Sequence, residues 1–393
     1  MVFRLMQEKP EIVFTFPACM GGVASFNYNI INHSKLISNF HSKVILLKAI
    51  EDTRPVFLDE FKSNKVLYFN YSFFENQYLV QKRLSKLLGN SKGLIVTDNA
   101  LTVESANRFN NPKTIFHLLH DYIYVSQAIH LNRLTDVVIA HSSFFSDAVY
   151  ASNPSIFANR SFYIPYGVKQ ISNFPDKEKT RLNLVFLGRL DEGKGVLKLK
   201  EIDILLNRKN ISVHWAIIGK GPLREALHQQ WNGIQNVRFY EPNSTDEVYE
   251  LLNKQDIFIF PTTFEGTPVS ILECLANGIV TITNDLPGGI RDIISQSIGF
   301  RCKLNNLEEF ANNIEYLDSN RNVLSEMQYN CYNFSKNTYD VSINSDNYFR
   351  KFLEFADYKR PDRGVPTKMS RLDHPIFPNS LVLSFRRLKS LIK

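Results

Sequence analysis

The stretch DIFIFPTTFEGTPVSILECLANGIVTITNDLPGGIRDII, from Asp256 to Ile294, reads as strand, loop, helix, strand, loop, helix, with its polar side chains gathered in the loops. Ile257 to Phe260 is a short run of β-branched and aromatic residues suited to a strand buried on both faces, and Pro261 stops it. Thr267 fits an N-cap, Pro268 a first helical position and Gly278 the residue past the end, which predicts a short helix over Pro268 to Asn277. The free N–H groups and positive dipole end of such a helix face whatever lies beyond the strand, so the pattern predicts an anion site. Two carboxylates frame the helix, Glu265 before it and Glu273 in its second turn. An acid before a helix can be a dipole partner only. Glu273 stands among Val269, Ile271, Leu272, Cys274 and Leu275, where a carboxylate needs water or a hydrogen-bonding partner.

Working outward, 393 residues are long for one core and predict two domains. Hydrophobic and charged contents of 44% and 22% are those of an ordinary soluble globular protein. The four cysteines, Cys19, Cys274, Cys302 and Cys331, form neither a CxxC pair nor a metal-ligand spacing, so they read as reduced, packed thiols of a cytosolic protein, and no metal is expected. The start, MVFRLMQEKPEIVFTF, carries charges on both sides of a short apolar run and reads as neither a signal peptide nor a membrane span. Lys359 to Lys393 holds nine Lys and Arg against Asp362 and Asp373, a surplus of seven that equals the net charge of +7. The body is therefore near neutral, which argues against a nucleic-acid partner, and the basic tail points to acidic lipid head groups.

Before Thr180 the chain alternates EIVFTF, a helix from about Val23 to Ser34, KVILL, KVLYFNYS, a helix near Gln77 to Leu88, GLIVTD, KTIFHLL, a helix from about Tyr122, DVVIAH and SFYIPYG. Alternation of this kind predicts a parallel sheet covered by helices on both faces. Lys169 to Thr180 has no periodicity and reads as a linker. The pattern restarts with LNLVFLG, HWAIIG, NVRFY, DIFIF, IVTIT and SIGFR, and Ser244 to Glu247 forms a capping box for a helix to about Lys254. This is a second doubly wound α/β domain, whose ligands bind beyond the carboxyl ends of the strands. Two such domains facing each other predict a cleft. The expected domains are 1–168, completed by a returning helix at about 339–358, then 178–338, and a basic tail at 359–393.

Several strand-end loops carry candidate groups. PACMGGVA, Pro17 to Ala24, places Gly21 and Gly22 before a helix, where backbone can approach a ligand closely, although a tight turn explains the pair as well. GRLDEGKGV, from Gly188, offers Arg189 and Lys194 to one diphosphate, the first as a planar fork and the second as a point charge. IIGKGPLR lacks the third glycine of a dinucleotide fingerprint, which excludes an NAD site there. His120 closes the run IFHLLH, with His117 and Asp121 nearby, and His141 at the end of VVIAH competes with it.

Together FEGTPVSILECLANG, GRLDEGKGV, IIGKGP, IPYGV and TNDLPGGIRDII resemble the retaining glycosyltransferases of the GT-B fold, family 4. The resemblance implies two Rossmann-like domains with a C-terminal helix crossing back to the first. It implies that Glu265 contacts donor-sugar hydroxyls, that Gly266, Thr267, Pro268 and Val269 hold sugar and distal phosphate, and that Glu273 accepts both ribose hydroxyls. Arg189 and Lys194, beside Gly188, would stabilise the leaving diphosphate without a metal or other cofactor. Gly22 would reach the phosphates and His120 the sugar near its reacting carbon.

The implied activity is transfer of a hexose, with retention, from a UDP- or GDP-sugar to a growing polysaccharide or lipid-linked oligosaccharide, at the cytoplasmic face of a membrane. Base contacts would come from backbone near Phe239 to Pro242. Tyr166 departs from the family's small polar residue. A nucleotide-sugar epimerase on the same fold and a non-catalytic sugar-nucleotide-binding partner are the alternatives. The tail segment LVLSFRRLKSLIK suits an interfacial helix or one docked on protein.

Overall fold

The computed structural model describes residues 9–19, 21–56, 60–175, 177, 181–360, 363–364, 366 and 369–391. Met1 to Glu8 at the start, Met20 of the glycine loop, part of the expected linker, and Lys368, Ile392 and Lys393 of the basic tail lie outside them. The chain divides into two compact units, the second comprising Ser142–Phe144 and Val168–Val341 and the first the remainder.

Unit 1 contains β1 (Glu11–Pro17), β2 (His41–Ala49), β3 (Lys65–Tyr71), β4 (Gly93–Thr97), β5 (Thr114–Leu119), β6 (Val137–Ala140) and β7 (Ser161–Tyr163). They form one sheet in the order β3-β2-β1-β4-β5-β6-β7, and every recorded pairing is parallel. Residues of β4, β5 and β6 are buried throughout, as the apolar runs require. The helix Gln77–Leu88 starts where the Asn76 side chain accepts from the amides of Tyr78 and Leu79, and ends at Gly89 with φ +68°. Two helices absent from the sequence reading, Ala100–Arg108 and Ser143–Ser152, complete the alternation.

Unit 2 contains β8 (Leu182–Leu187), β9 (Val213–Ile218), β10 (Val237–Tyr240), β11 (Ile257–Phe260), β12 (Val280–Asn284) and β13 (Gly299–Cys302), in the order β10-β9-β8-β11-β12-β13 and again parallel. Ser244 Oγ accepts from the Glu247 amide at 3.2 Å to cap the helix Thr245–Leu252, while the Glu247 carboxylate reaches back to the Asn243 amide at 2.8 Å. Residues near the expected linker are held inside this unit: Gln170 donates to the Tyr339 carbonyl at 3.2 Å, and Phe174 packs on Tyr329 and Tyr332.

The chain then returns to unit 1 through the helix Val341–Leu353. Phe349 and Phe352 are fully buried against Phe14 of β1, and Phe352 also meets Phe116 of β5 edge-on at 5.3 Å. The tail that follows is docked on the same unit. Lys359 donates to the Pro112 carbonyl, Arg360 to those of Asn132 and Arg133, and Arg363 to that of Asn111 with Asp136 at 3.4 Å. Arg386 bonds Asp373 at 2.9 Å and the Glu75 carbonyl. Lys359, Arg360, Arg363 and Arg386 of the tail are thus hydrogen-bonded to this unit, Arg363 also facing Asp136 outside the tail. The helix Asn379–Leu391 buries Val382 but leaves Leu381, Phe385 and Leu388 exposed at i, i+4, i+7 spacing. No helix among the described residues is long and apolar enough to cross a membrane.

The aromatic seam beneath the returning helix predicts a large cost for truncation there. Phe352→Ala should lose about 3–5 kcal/mol in denaturant unfolding of unit 1. A loss below about 1 kcal/mol would mean the helix is peripheral to that core.

Candidate functional site

The carboxyl ends of β8 and β11 carry the loops singled out by the sequence, and these are clasped to each other. Gly193 carbonyl accepts from the Thr263 amide at 2.9 Å and from the Thr262 hydroxyl at 3.1 Å. Gly195 has φ +69°, and a Cβ there would lie 2.1 Å from the Pro261 carbonyl oxygen, so only glycine allows this approach. Gly188 and Gly219 are equally close: a Cβ on Gly219 would meet the Gly188 carbonyl at 1.9 Å. The glycines of IIGKGP therefore serve backbone packing between strand ends.

This clasp brings Lys194 onto Glu265 as an ion pair, with the Thr262 hydroxyl on the same carboxylate oxygen at 3.2 Å. The ammonium also sits over the Phe260 ring, 5.7 Å from its centroid. Burial pushes the Glu265 carboxyl up and Lys194 pulls it back. Asp191, which the sequence reading did not single out, holds the Lys194 amide at 3.0 Å and lies 3.4 Å from Arg189. Arg189 projects into solvent with 62% of its side chain exposed, so in this state it does not converge with Lys194.

The helix after Pro268 starts one residue later than expected, as Val269–Ala276, with Pro268 as the capping residue in extended conformation, ψ 109°. Thr267 makes no cap, and its buried hydroxyl has no partner among the described residues. The carbonyl of Gly266 is tied instead to the Gly289 amide at 3.1 Å. No side chain caps the first amides of the helix, of which that of Ile271 donates to the Pro268 carbonyl at 3.1 Å. Glu273, one turn on, has no hydrogen-bond or ion-pair partner among the described residues, and burial alone raises its pKa to about 7. At the end of β12, Asn284 donates to the Thr262 carbonyl at 2.7 Å, and its own side-chain oxygen has no partner among the described residues. That residue lay in the opening stretch, hidden by an ordinary strand-end reading.

Gly22 and His120 belong to unit 1. Gly22 is the first residue of the helix Gly22–His33, after Gly21 at φ +152°. Asp121 is the N-cap of the helix Tyr122–His130, accepting from the Ile123 amide at 2.7 Å. His120 and His141, rivals by sequence, are neighbours: Nδ1 of His120 lies 3.1 Å from Nε2 of His141. Beyond them the row continues, with Asp98 Oδ2 3.5 Å from His120 Nε2 and the Tyr348 hydroxyl 2.7 Å from His141 Nδ1. Burial pushes Asp98 up against the opposing pull of His120, holds His141 well below the usual histidine range, and lowers His117 to about 4. Phe26 packs on His120, His141, Tyr166 and Tyr348. Tyr166 is thus a buried wall of this cluster.

A carboxyl whose folded-state pKa is raised binds a proton that the unfolded chain has given up. Glu273 therefore lowers stability as pH rises from its ordinary 4.5 through about 7. Glu273→Gln should melt above wild type by a few degrees near pH 8, with the gap closing near pH 5. Equal melting temperatures across that range would show Glu273 to be solvated.

Residues 168–334 match the family described as glycosyl transferases group 1. A segment of 129 residues is 26% identical to the UDP-Gal:alpha-D-GlcNAc-diphosphoundecaprenol alpha-1,3-galactosyltransferase of Escherichia coli, covering 32% of this chain and 33% of that protein. Identity to an uncharacterized glycosyltransferase of Haemophilus influenzae is 22% over 65% of this chain and 76% of that one. The crystal structure of HepE from Anabaena in complex with UDP and glucose superposes with TM-score 0.69 and 16% identity, over 88% of this chain and 99% of that one. The match to the Escherichia coli protein thus spans about a third of its length. The fold is GT-B, with two parallel sheets and a returning C-terminal helix, and its second unit carries the match to the glycosyl transferases group 1 model.

Proposed function

We propose that the chain is a retaining glycosyltransferase that moves a hexose from a UDP- or GDP-sugar to a growing polysaccharide or lipid-linked oligosaccharide. The observation that carries this reading is the treatment of the two acids around one helix start. Glu265 is matched by Lys194, and Glu273 is left without a partner. A ribose diol supplies two donors to a half-buried carboxylate that has no protein partner among the described residues. The backbone of Gly266, Thr267, Pro268 and Val269 serves sugar and distal phosphate, with the unpaired Thr267 hydroxyl available to them.

Lys194 and Arg189 are cations for the diphosphate, and they let the leaving group depart without a metal or other cofactor. Lys194 would then trade its bond to Glu265 for phosphate, which frees Glu265 to accept from sugar hydroxyls. Arg189, exposed to solvent, would fold in on the bound anion. In unit 1, Gly22 serves the phosphates and His120 the donor sugar. The acceptor's lipid-linked nature is part of this proposal, as is work at the inner face of a membrane.

Contact with an acidic membrane surface is assigned to the helix Asn379–Leu391. Leu381, Phe385 and Leu388 form its exposed apolar row, Arg387 and Lys389 flank it, and the segment from Asn379 to Lys393 carries no acid. Substituting Leu381, Phe385 and Leu388 together by Ser should abolish cosedimentation of the full chain with phosphatidylglycerol vesicles and spare turnover of a soluble acceptor. Undiminished vesicle binding would refute this assignment.

For the chemistry, Glu265→Ala and Lys194→Ala should each lower donor turnover roughly 100- to 1,000-fold. Either change alone strands a buried charge and costs stability, so the double variant Lys194→Met, Glu265→Leu separates the two effects. It should regain the melting temperature and stay inactive. Recovery of turnover with recovery of stability would make the pair structural.

A further inference from the structure

Hydrogen-bond polarity runs one way along the buried row of unit 1. The Tyr348 hydroxyl spends its single proton on the Ile164 carbonyl, 2.6 Å away. Its oxygen therefore accepts from His141, so the His141 Nδ1 at 2.7 Å carries a proton. Burial keeps His141 neutral, and a neutral imidazole has one N–H, which leaves its Nε2 bare. That nitrogen accepts from Nδ1 of His120 at 3.1 Å. The one proton of a neutral His120 is then committed to Nδ1, while its Nε2 faces Asp98 Oδ2 at 3.5 Å. A bare nitrogen opposite an ionised carboxylate would set two lone pairs against each other in a site shielded from water. One further proton belongs between them, as imidazolium with carboxylate or as imidazole with carboxylic acid.

We infer that Asp98, His141 and Tyr348 are positioning residues for His120, fixing its tautomer and keeping one shared proton on the His120–Asp98 pair. This rests on the reading that His120 serves the donor sugar. With Nδ1 held by His141 and Nε2 facing Asp98 at 3.5 Å, too long for a hydrogen bond in this state, His120 acts on that sugar as an oriented group and not as a general base. Asn27 braces the carboxylate, its amide 3.4 Å from Asp98 Oδ2. The titratable groups facing the row are His117 from β5, Tyr124 from the helix Tyr122–His130 and Tyr166 from the loop after β7, with Asp121, Cys19 and Arg54 acting on Tyr124. The row ends at Tyr348, on the returning helix. That helix thereby bears on the reacting group as well as on the core.

The test joins a spectrum to kinetics on the full chain. NMR of histidine labelled at its ring nitrogens should find Nδ1 protonated in both His120 and His141. Tyr348→Phe keeps the ring's volume and removes the oxygen, so it should admit the other His141 tautomer and give kcat a pH dependence between about pH 6 and about pH 8 that wild type lacks. Asp98→Asn can place an amide N–H where the shared proton sits and should keep most of kcat, whereas Asp98→Ala should lose roughly 10- to 100-fold. A His141 protonated on Nε2, or equal kcat in the two Asp98 variants, overturns the inference. His120→Ala with wild-type turnover would remove the role of His120 itself, and the positioning role with it, whatever the tautomers prove to be.

Discussion

A carboxylate taken out of water must be given a cation, a proton or a set of donors, and unit 2 answers that demand in two ways within nine residues. Glu265 receives Lys194 because Gly195 and Gly193 allow the loop after β8 to lie against the loop after β11. Glu273, half-buried, has no protein partner among the described residues, and desolvation lifts its carboxyl to about 7. Stability alone would favour an apolar residue in that helix turn.

Unit 1 meets the same demand with a proton. Asp98 is buried beside His120, and the row from His120 Nδ1 through His141 to Tyr348 ends on a backbone carbonyl with each donor accepted, while His120 Nε2 faces Asp98 at 3.5 Å without a hydrogen bond. Phe26 and Tyr166 close the cluster from the side. The polarity of that row depends on a residue more than 200 positions from its histidines, supplied by the helix that also seals the core with Phe349 and Phe352. Packing and chemistry are therefore coupled through one helix.

The fold was legible because buried parallel strands write themselves as short apolar runs, and IFIF, VVIA and LVFL needed no partner to be recognised. The helix Ala100–Arg108 escaped notice although Asn99 caps it, since its own sequence mixes polar and apolar residues without a clean stripe. The helix start at Val269 could not be placed to the residue: Thr267 has the right chemistry for a cap, but Pro268 takes up the extended conformation and performs the turn. Glu265, Lys194 and Glu273 stood out because their residue types conflict with their neighbours. What no local pattern carried were the long-range partners, Asp98 for His120, Tyr348 for His141 and Asp191 for the Lys194 loop. Counting charges in the basic tail does not reveal that backbone carbonyls and acids of unit 1 engage part of them.

The account turns on Glu273 as the acceptor held open for a ribose diol. Calorimetric titration of UDP into the full chain tests it most directly, since the ionised carboxylate accepts both hydroxyls and the protonated one does not. With the carboxyl at about 7, affinity should rise about tenfold between about pH 6 and about pH 8, with a proton released on binding at the lower pH, and Glu273→Gln should flatten the curve at weak affinity. Tight, pH-independent binding of UDP by both proteins would contradict it.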